Sequence, residues 1–299
     1  MAKPTWGVAL TASRGSVAAC LLLLALCSHA ARTEEEAAFD FLPCPPADNV
    51  DDMIATVSLT NCTSLDAQGH SIGAGGGRDL QRLLEALHGN AHVDQLDLSW
   101  ADVDAASAHH IPAALGKTSL RSLSLEGNRI GADGARSLST ALGKDSMISV
   151  LEIQHNKIGA SGAEALAEAL LSNVALRSLD LYDNDLGQDG AVAIIGALKN
   201  HPGLVRLNLR FNRIGDVGAQ AVADLLLHRV ANKLPCLSHV NLAVNRITAA
   251  GALPLLAAAQ ACKSLVDLRL GLNDIADDEK VLKQLTDVCA ANAANSEAE

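Results

Sequence analysis

The sequence predicts an α/β solenoid: a parallel β-sheet along the concave side, helices along the convex side, and about eight stacked repeats. Three observations predict it. Between roughly residues 62 and 285, the pattern L-x-x-L-x-L-x-x-N-x-I-G-x-x-G-A returns about every 28 residues, and a period of that length marks a repeat array. Each copy then switches from Leu-x-Leu alternation to helical spacing. Finally, 49% of the 299 residues are hydrophobic but only 2% are aromatic. The core is therefore Leu, Ile, Val and Ala, which suits thin stacked layers better than a globule around a deep pocket.

The repeats align in one phase. Leu120, Leu123, Leu125, Asn128, Ile130 and Gly131 are followed by Ile148, Leu151, Ile153, Asn156, Ile158 and Gly159. The copies starting at Leu176 and Leu204 keep the same step, with Asn184 and Asn212 in the Asn position. The step to Leu237 is 33 residues, which places a small insertion at 228–234, and the step to Leu265 is 28 again. Asn245 and Asn273 continue the series. Upstream, Val93, Leu96, Leu98 and Val103 fit, with Ala101 in place of Asn. For the first repeat two frames compete. Cys62, Leu65, Ala67, His70 and Ile72 is preferred over Ile54, Val57, Leu59 and Cys62, because Gly-Ala-Gly-Gly at 73–76 then matches Gly-Ala-Asp-Gly at 131–134.

Each part of the repeat has a physical role. Leu-x-Leu is a short strand with one buried face. The Asn can bond the backbone of neighbouring turns where the chain bends inward. Gly-x-x-Gly-Ala opens a helix, and 163–171 and 219–227 have helical spacing and good helix formers. One such unit cannot bury its apolar side alone, and stacking buries it.

These residues resemble ribonuclease-inhibitor-type leucine-rich repeats, the long helix-bearing kind shared with NOD-like receptors and the Ran GTPase-activating protein. The match covers about three quarters of the chain. The resemblance implies a horseshoe that binds macromolecules, usually on its concave face. It transfers no particular partner, because function lives in the site and not in the fold.

Residues 1–30 read as a signal peptide. Lys3 and Arg14 precede an apolar run at 17–27, and Ser28-His29-Ala30 supplies small residues for cleavage. The run is too short for a membrane span. The alternative is an organelle transit peptide, since no acid precedes Glu34. Beyond it the sequence divides into an N-terminal extension and cap at 31–61, a repeat domain at 62–289 and a disordered tail at 290–299. Removing Lys3 and Arg14 takes the net charge from −11 to −13. That balance disfavours nucleic acid and anionic membranes and favours a basic partner.

Cys44, Cys62, Cys236, Cys262 and Cys289 remain after such cleavage. A Cys44–Cys62 bridge would clip a cap over the exposed end of the core, which solenoids need. Cys262 and Cys289 fall at nearly the same phase of consecutive repeats and could meet if the end turn is tight, but helix-to-helix spacing of about 8–10 Å disfavours a bridge. Asn61-Cys62-Thr63 is the one N-x-S/T sequon and makes Asn61 a candidate glycosylation site.

No catalytic residue, cofactor motif or metal site stands out. Gly116-Lys117-Thr118 lacks the upstream glycine of a phosphate loop, because position 111 is Ile. His88 and His92 are separated by the helix-breaking Gly89-Asn90, and the adjacent His109 and His110 would diverge on a helix. The expectation is a protein that is not an enzyme.

The shared phase identifies an outward surface instead. The residue between the Leu positions of each strand gives Asp66, Asp97, Ser124, Glu152, Asp180, Asn208, Asn241 and Arg269. Two residues further come Gln68, Ser99, Glu126, Gln154, Tyr182, Arg210, Ala243 and Gly271, and the position before each Asn adds Trp100, His155, Asp183 and Phe211. All three aromatics of the repeats fall here, where the Leu ladder does not need them. Aromatic residues and Arg in a polar surround are the usual anchors of an interface. The candidate partner-binding set is Asp97, Trp100, Glu126, Glu152, His155, Asp180, Tyr182, Asp183, Arg210 and Phe211. The expected function is a secreted or lumenal binding module for a protein or peptide with a basic surface, without nucleic acid or membrane insertion. The alternative is an intracellular enzyme regulator of the ribonuclease-inhibitor or Ran GTPase-activating type.

Overall fold

A computed structural model describes residues 43–275 and 279–296. The expected signal peptide and the extension up to residue 42 lie outside them. In chain order the elements are α1 (Val50–Leu59), β1 (Ser64–Asp66), a 3-10 turn (Ala74–Gly76), α2 (Arg78–Ala86), β2 (Gln95–Asp97), α3 (Ala105–Ala108), α4 (Ile111–Leu115) and β3 (Ser122–Ser124). Then follow α5 (Gly131–Ser139), β4 (Val150–Glu152), α6 (Gly159–Leu170), β5 (Ser178–Asp180), α7 (Gly187–Leu198) and β6 (Arg206–Asn208). The last elements are α8 (Gly215–Ala231), β7 (His239–Asn241), α9 (Ala249–Ala261), β8 (Asp267–Arg269) and α10 (Glu279–Ser296).

The strands form one parallel sheet in sequence order, β1 to β8. Register follows the repeat: Leu65, Leu96, Leu123, Leu151, Leu179, Leu207, Val240 and Leu268 are successive partners. The core is a continuous aliphatic layer between this sheet and the helices. The preferred first frame holds, because Ile54 and Val57 belong to α1 and Leu65 and Ala67 to the strand layer.

Buried Asn residues tie the layers together. Asn156 donates from Nδ2 to the carbonyls of Leu125, Ile153 and Gln154 at 2.8, 3.1 and 2.8 Å. The Oδ1 atoms of Asn184, Asn212, Asn245 and Asn273 each accept the backbone N–H of the preceding ladder Asn. The two glycines of the motif have separate jobs. Gly159 has φ +66°, a conformation that L side chains resist. A Cβ on Gly162 would lie 2.5 Å from Ile158 Cγ2, so this glycine lets the helix close on the turn.

A second polar series, absent from the sequence reading, lies at the helix-to-strand turns. Asn90, Asn173 and His201 accept the N–H groups that enter the next strand. Arg229 replaces them in the long repeat, where the insertion lengthens α8. Arg229 is buried and donates to the carbonyls of Pro235 and Leu198 at 2.7 and 3.0 Å.

Both ends of the array are covered. At the start, α1 buries Met53, Thr56 and Val57, and Cys44 and Cys62 are joined by a disulfide with Cα atoms 4.8 Å apart. Pro43 bridges Ser64 beside the free edge of β1, which blocks strand addition there. At the far end α10 continues through Ser296, so residues 290–296 are helical where the sequence suggested a disordered tail. The reason is Asn292, which is buried and donates to the carbonyls of Ala259, Cys262 and Leu265. Cys236, Cys262 and Cys289 are free thiols. His109 and His110 do not diverge: a break between α3 and α4 brings their rings together, tilted by 38° with centroids 4.0 Å apart. Among the described residues no helix is long and apolar enough to cross a membrane.

Candidate partner-binding face

The outward row read from the sequence is in register residue by residue. Asp66, Asp97, Ser124, Glu152, Asp180, Asn208, Asn241 and Arg269 are consecutive cross-strand partners. Parallel strands are about 4.8 Å apart, so like charges in this row are held close. Two residues of the outward rows differ from expectation: Ser99 and Ser124 are buried, with their hydroxyls 2.8 Å apart.

The acids do not all do the same work. Asp97 Oδ1 accepts the Ser99 amide, and Asp180 Oδ1 accepts the Tyr182 amide, both holding the turn after the strand. Asp180 Oδ2 also takes Asn208 Nδ2 at 2.8 Å. Glu126 and Glu152 hold no such turn. Burial raises the Glu152 carboxyl above the ordinary range, and Asp180, Asp97 and Glu126 raise it further against a hydrogen bond from Ser124. Burial likewise raises Asp180, opposed by its bonds to Tyr182 and Asn208. A cation arriving here would relieve repulsion already present in the fold.

Beside the acids runs an aromatic strip. Trp100, His155, Asp183 and Phe211 occupy the position before the Asn column (Ala101 in Trp100's repeat), and all have positive φ, which turns their side chains outward. Ring centroids are 6.2 Å apart from Trp100 to His155, 4.6 Å from His155 to Tyr182 and 6.5 Å from Tyr182 to Phe211. His155 Nδ1 lies 2.7 Å from Asp183 Oδ2, which fixes the imidazole between its neighbours. The Arg210 guanidinium sits 5.1 Å from the Tyr182 ring centroid, a cation–π contact. Trp100 is 53% exposed and Phe211 46%.

The structure therefore brings the ten sequence-selected residues onto one face. It adds Gly127, which the sequence reading passed over. Gly127 stands where other repeats carry Trp, His, Asp or Phe, and the Trp100 ring lies over it: a Cβ there would be 2.3 Å from Cδ2 and Cε2. The missing side chain makes the platform for the indole. Alignment of that column was the available signal.

A sheet in strand order, helices on one side only, an inner Asn ladder and an open face of outward side chains define a β/α solenoid. The Leucine Rich repeat family matches residues 116–139, 144–167, 172–194 and 202–223. The chain is a leucine-rich-repeat protein. Its fold resembles the leucine-rich repeat-containing protein LegL7 from Legionella pneumophila, at 22% identity over 83% of this chain and 78% of that one, with a TM-score of 0.50. Leiomodin-1 Actin-Binding Site 2 shares 14% identity over 85% of this chain and 96% of that one, and its TM-score of 0.32 is too low to carry an argument. No curated protein matches the sequence.

Proposed function

We propose that this protein is a secreted or lumenal interaction module that binds a partly basic protein or peptide on its concave face. The observation that carries the reading is the strip Trp100–His155–Tyr182–Phe211 beside Glu126 and Glu152. Exposed aromatics supply the apolar contact, and two carboxylates without turn duties supply the charge. Placement in the secretory pathway draws support from the leader-like start, the Cys44–Cys62 disulfide and an exposed Asn61 in its sequon. N-terminal sequencing of native protein should begin near Ala31 or Arg32, and a return of Met1 would overturn export.

Affinity capture followed by mutagenesis tests the face. Truncating Tyr182 or Phe211 to Ala should weaken the captured partner by about 1–4 kcal/mol. Glu126→Gln with Glu152→Gln should slow association and flatten its salt dependence, because charges on an open face steer encounter. Glu164→Gln and Glu168→Gln on the helix side should change little. Loss of binding in the helix-side pair, with the concave variants unaffected, would place the functional face elsewhere.

A further inference from the structure

The C-terminal end of the ridge carries a different chemistry from the acidic end. Asn212, Asn245 and Asn273 turn inward to the ladder, so the residues flanking them are turned outward. Phe211, Arg213, Val244, Arg246 and Leu272 all have φ between 56° and 59°. Together with Asp274 they line an open cleft of about 210 Å3. The core does not need these side chains, since Ile214, Ile247 and Ile275 fill the adjacent buried positions. Leu272 is 82% exposed. Three apolar side chains from successive repeats thus form a row, with two Arg from the parallel column beside it.

The charge of this cleft opposes that of the molecule. The chain carries −11 overall, yet the cleft holds two guanidinium groups and one carboxylate. Among the described residues Arg213 pairs with the exposed Asp185, at 3.3 Å, and Arg246 makes no ion pair. We propose that this cleft docks a short acidic and apolar segment of a partner protein. One or two aliphatic or aromatic side chains would seat on Phe211, Val244 and Leu272, and neighbouring carboxylates would reach Arg213 and Arg246. Burial of the apolar row supplies the contact, and the guanidinium fork matches a carboxylate in two bonds. A basic segment would instead bring like charge onto Arg246. The inference rests on the concave-face reading only in sharing Phe211, and it makes the binding surface two-signed along the array.

A random-peptide display library panned on the immobilised chain from residue 31 onward tests this. Wild type should enrich peptides pairing Asp or Glu with Leu, Ile or Phe. A fluorescent synthetic copy should lose at least about tenfold in affinity on Arg213→Gln with Arg246→Gln, and also on Leu272→Ser. It should stay within about twofold on the helix-side pair Glu164→Gln with Glu168→Gln. All of these side chains lie outside the core, and thermal melts check that each variant folds; the Arg pair decides the matter if Leu272→Ser does not. No enrichment above a blank surface, or enriched peptides indifferent to both cleft variants, overturns the proposal. Concentration-dependent self-association abolished by Leu272→Ser also overturns it, by assigning the cleft to a second copy. Basic peptides that depend on Glu126 and Glu152, without acidic ones, would sink this inference and leave the concave-face reading standing. Acidic peptides alone would do the reverse.

Discussion

Gly127→Ala separates the aromatic platform from the stability of the fold. The added Cβ would lie 2.3 Å from two indole atoms and 2.6 Å from Cε3. Carbon atoms rest at about 3.5–4.0 Å, so the Trp100 ring must move by roughly 1–2 Å. With half its surface in solvent, the ring can swing outward instead of disrupting the core. The stability cost is then mainly that of an alanine at φ +68°, about 1–2 kcal/mol. Gly69→Ala is the matched control, because Gly69 has φ +73° and a Cβ added there would meet nothing within 4 Å. Both variants should lose similar stability in urea, and only Gly127→Ala should lose binding, by about 1–4 kcal/mol if Trp100 is an anchor. The chain has two tryptophans, Trp6 and Trp100, so protein starting at residue 31 reports Trp100 alone by fluorescence. Gly127→Ala should shift its emission and raise its quenching by iodide. Emission and binding both unchanged from wild type would refute the platform.

Three further outcomes are expected. Asn156→Leu should destabilise the array by about 2–5 kcal/mol, because several buried carbonyls lose their donor and each costs about 1–3 kcal/mol; urea melts showing no loss would remove the ladder's role. Glu152→Gln should raise the melting temperature at pH 7. Its carboxyl is raised in the fold, so its contribution is favourable below the free glutamate value and lost as pH rises, and the variant's advantage should vanish in melts at pH 4. His201 is pushed down to about 4, first by burial and then by Arg229 and Arg177. The unfolded chain takes that proton first, so stability should fall by about 1.4 kcal/mol per pH unit below about 6.5, roughly 3 kcal/mol by pH 4. His201→Gln should start less stable at pH 7, having lost its bonds to the Leu204 amide and Asn173, but should show a flatter acid slope in urea melts at pH 7, 5.5 and 4.5.

The repeat, its phase, the strand register and the column in which each outward side chain stands were all legible in the order of the amino acids. They were legible because a solenoid contacts mainly its neighbours. A fixed period then converts position in sequence into position in space, and Asp97, Glu152 and Asp180 fall in one row before any fold is drawn. Even the Cys44–Cys62 pairing was within reach, since Cys44 lies just ahead of the first repeat and Cys62 opens it. What lay beyond it depended on distance and on side-chain direction. Packing in three dimensions was needed to separate Asp97 and Asp180, which hold turns, from Glu126 and Glu152, which do not. Only there does Trp100 lie on Gly127, Asn292 extend the last helix through 290–296, and the turn between α3 and α4 bring His109 against His110. The basic, apolar cleft around Leu272 was likewise invisible, because the sequence reading followed the column before each Asn without pairing it with the column after. Those two columns meet only because the buried Asn between them turns both outward.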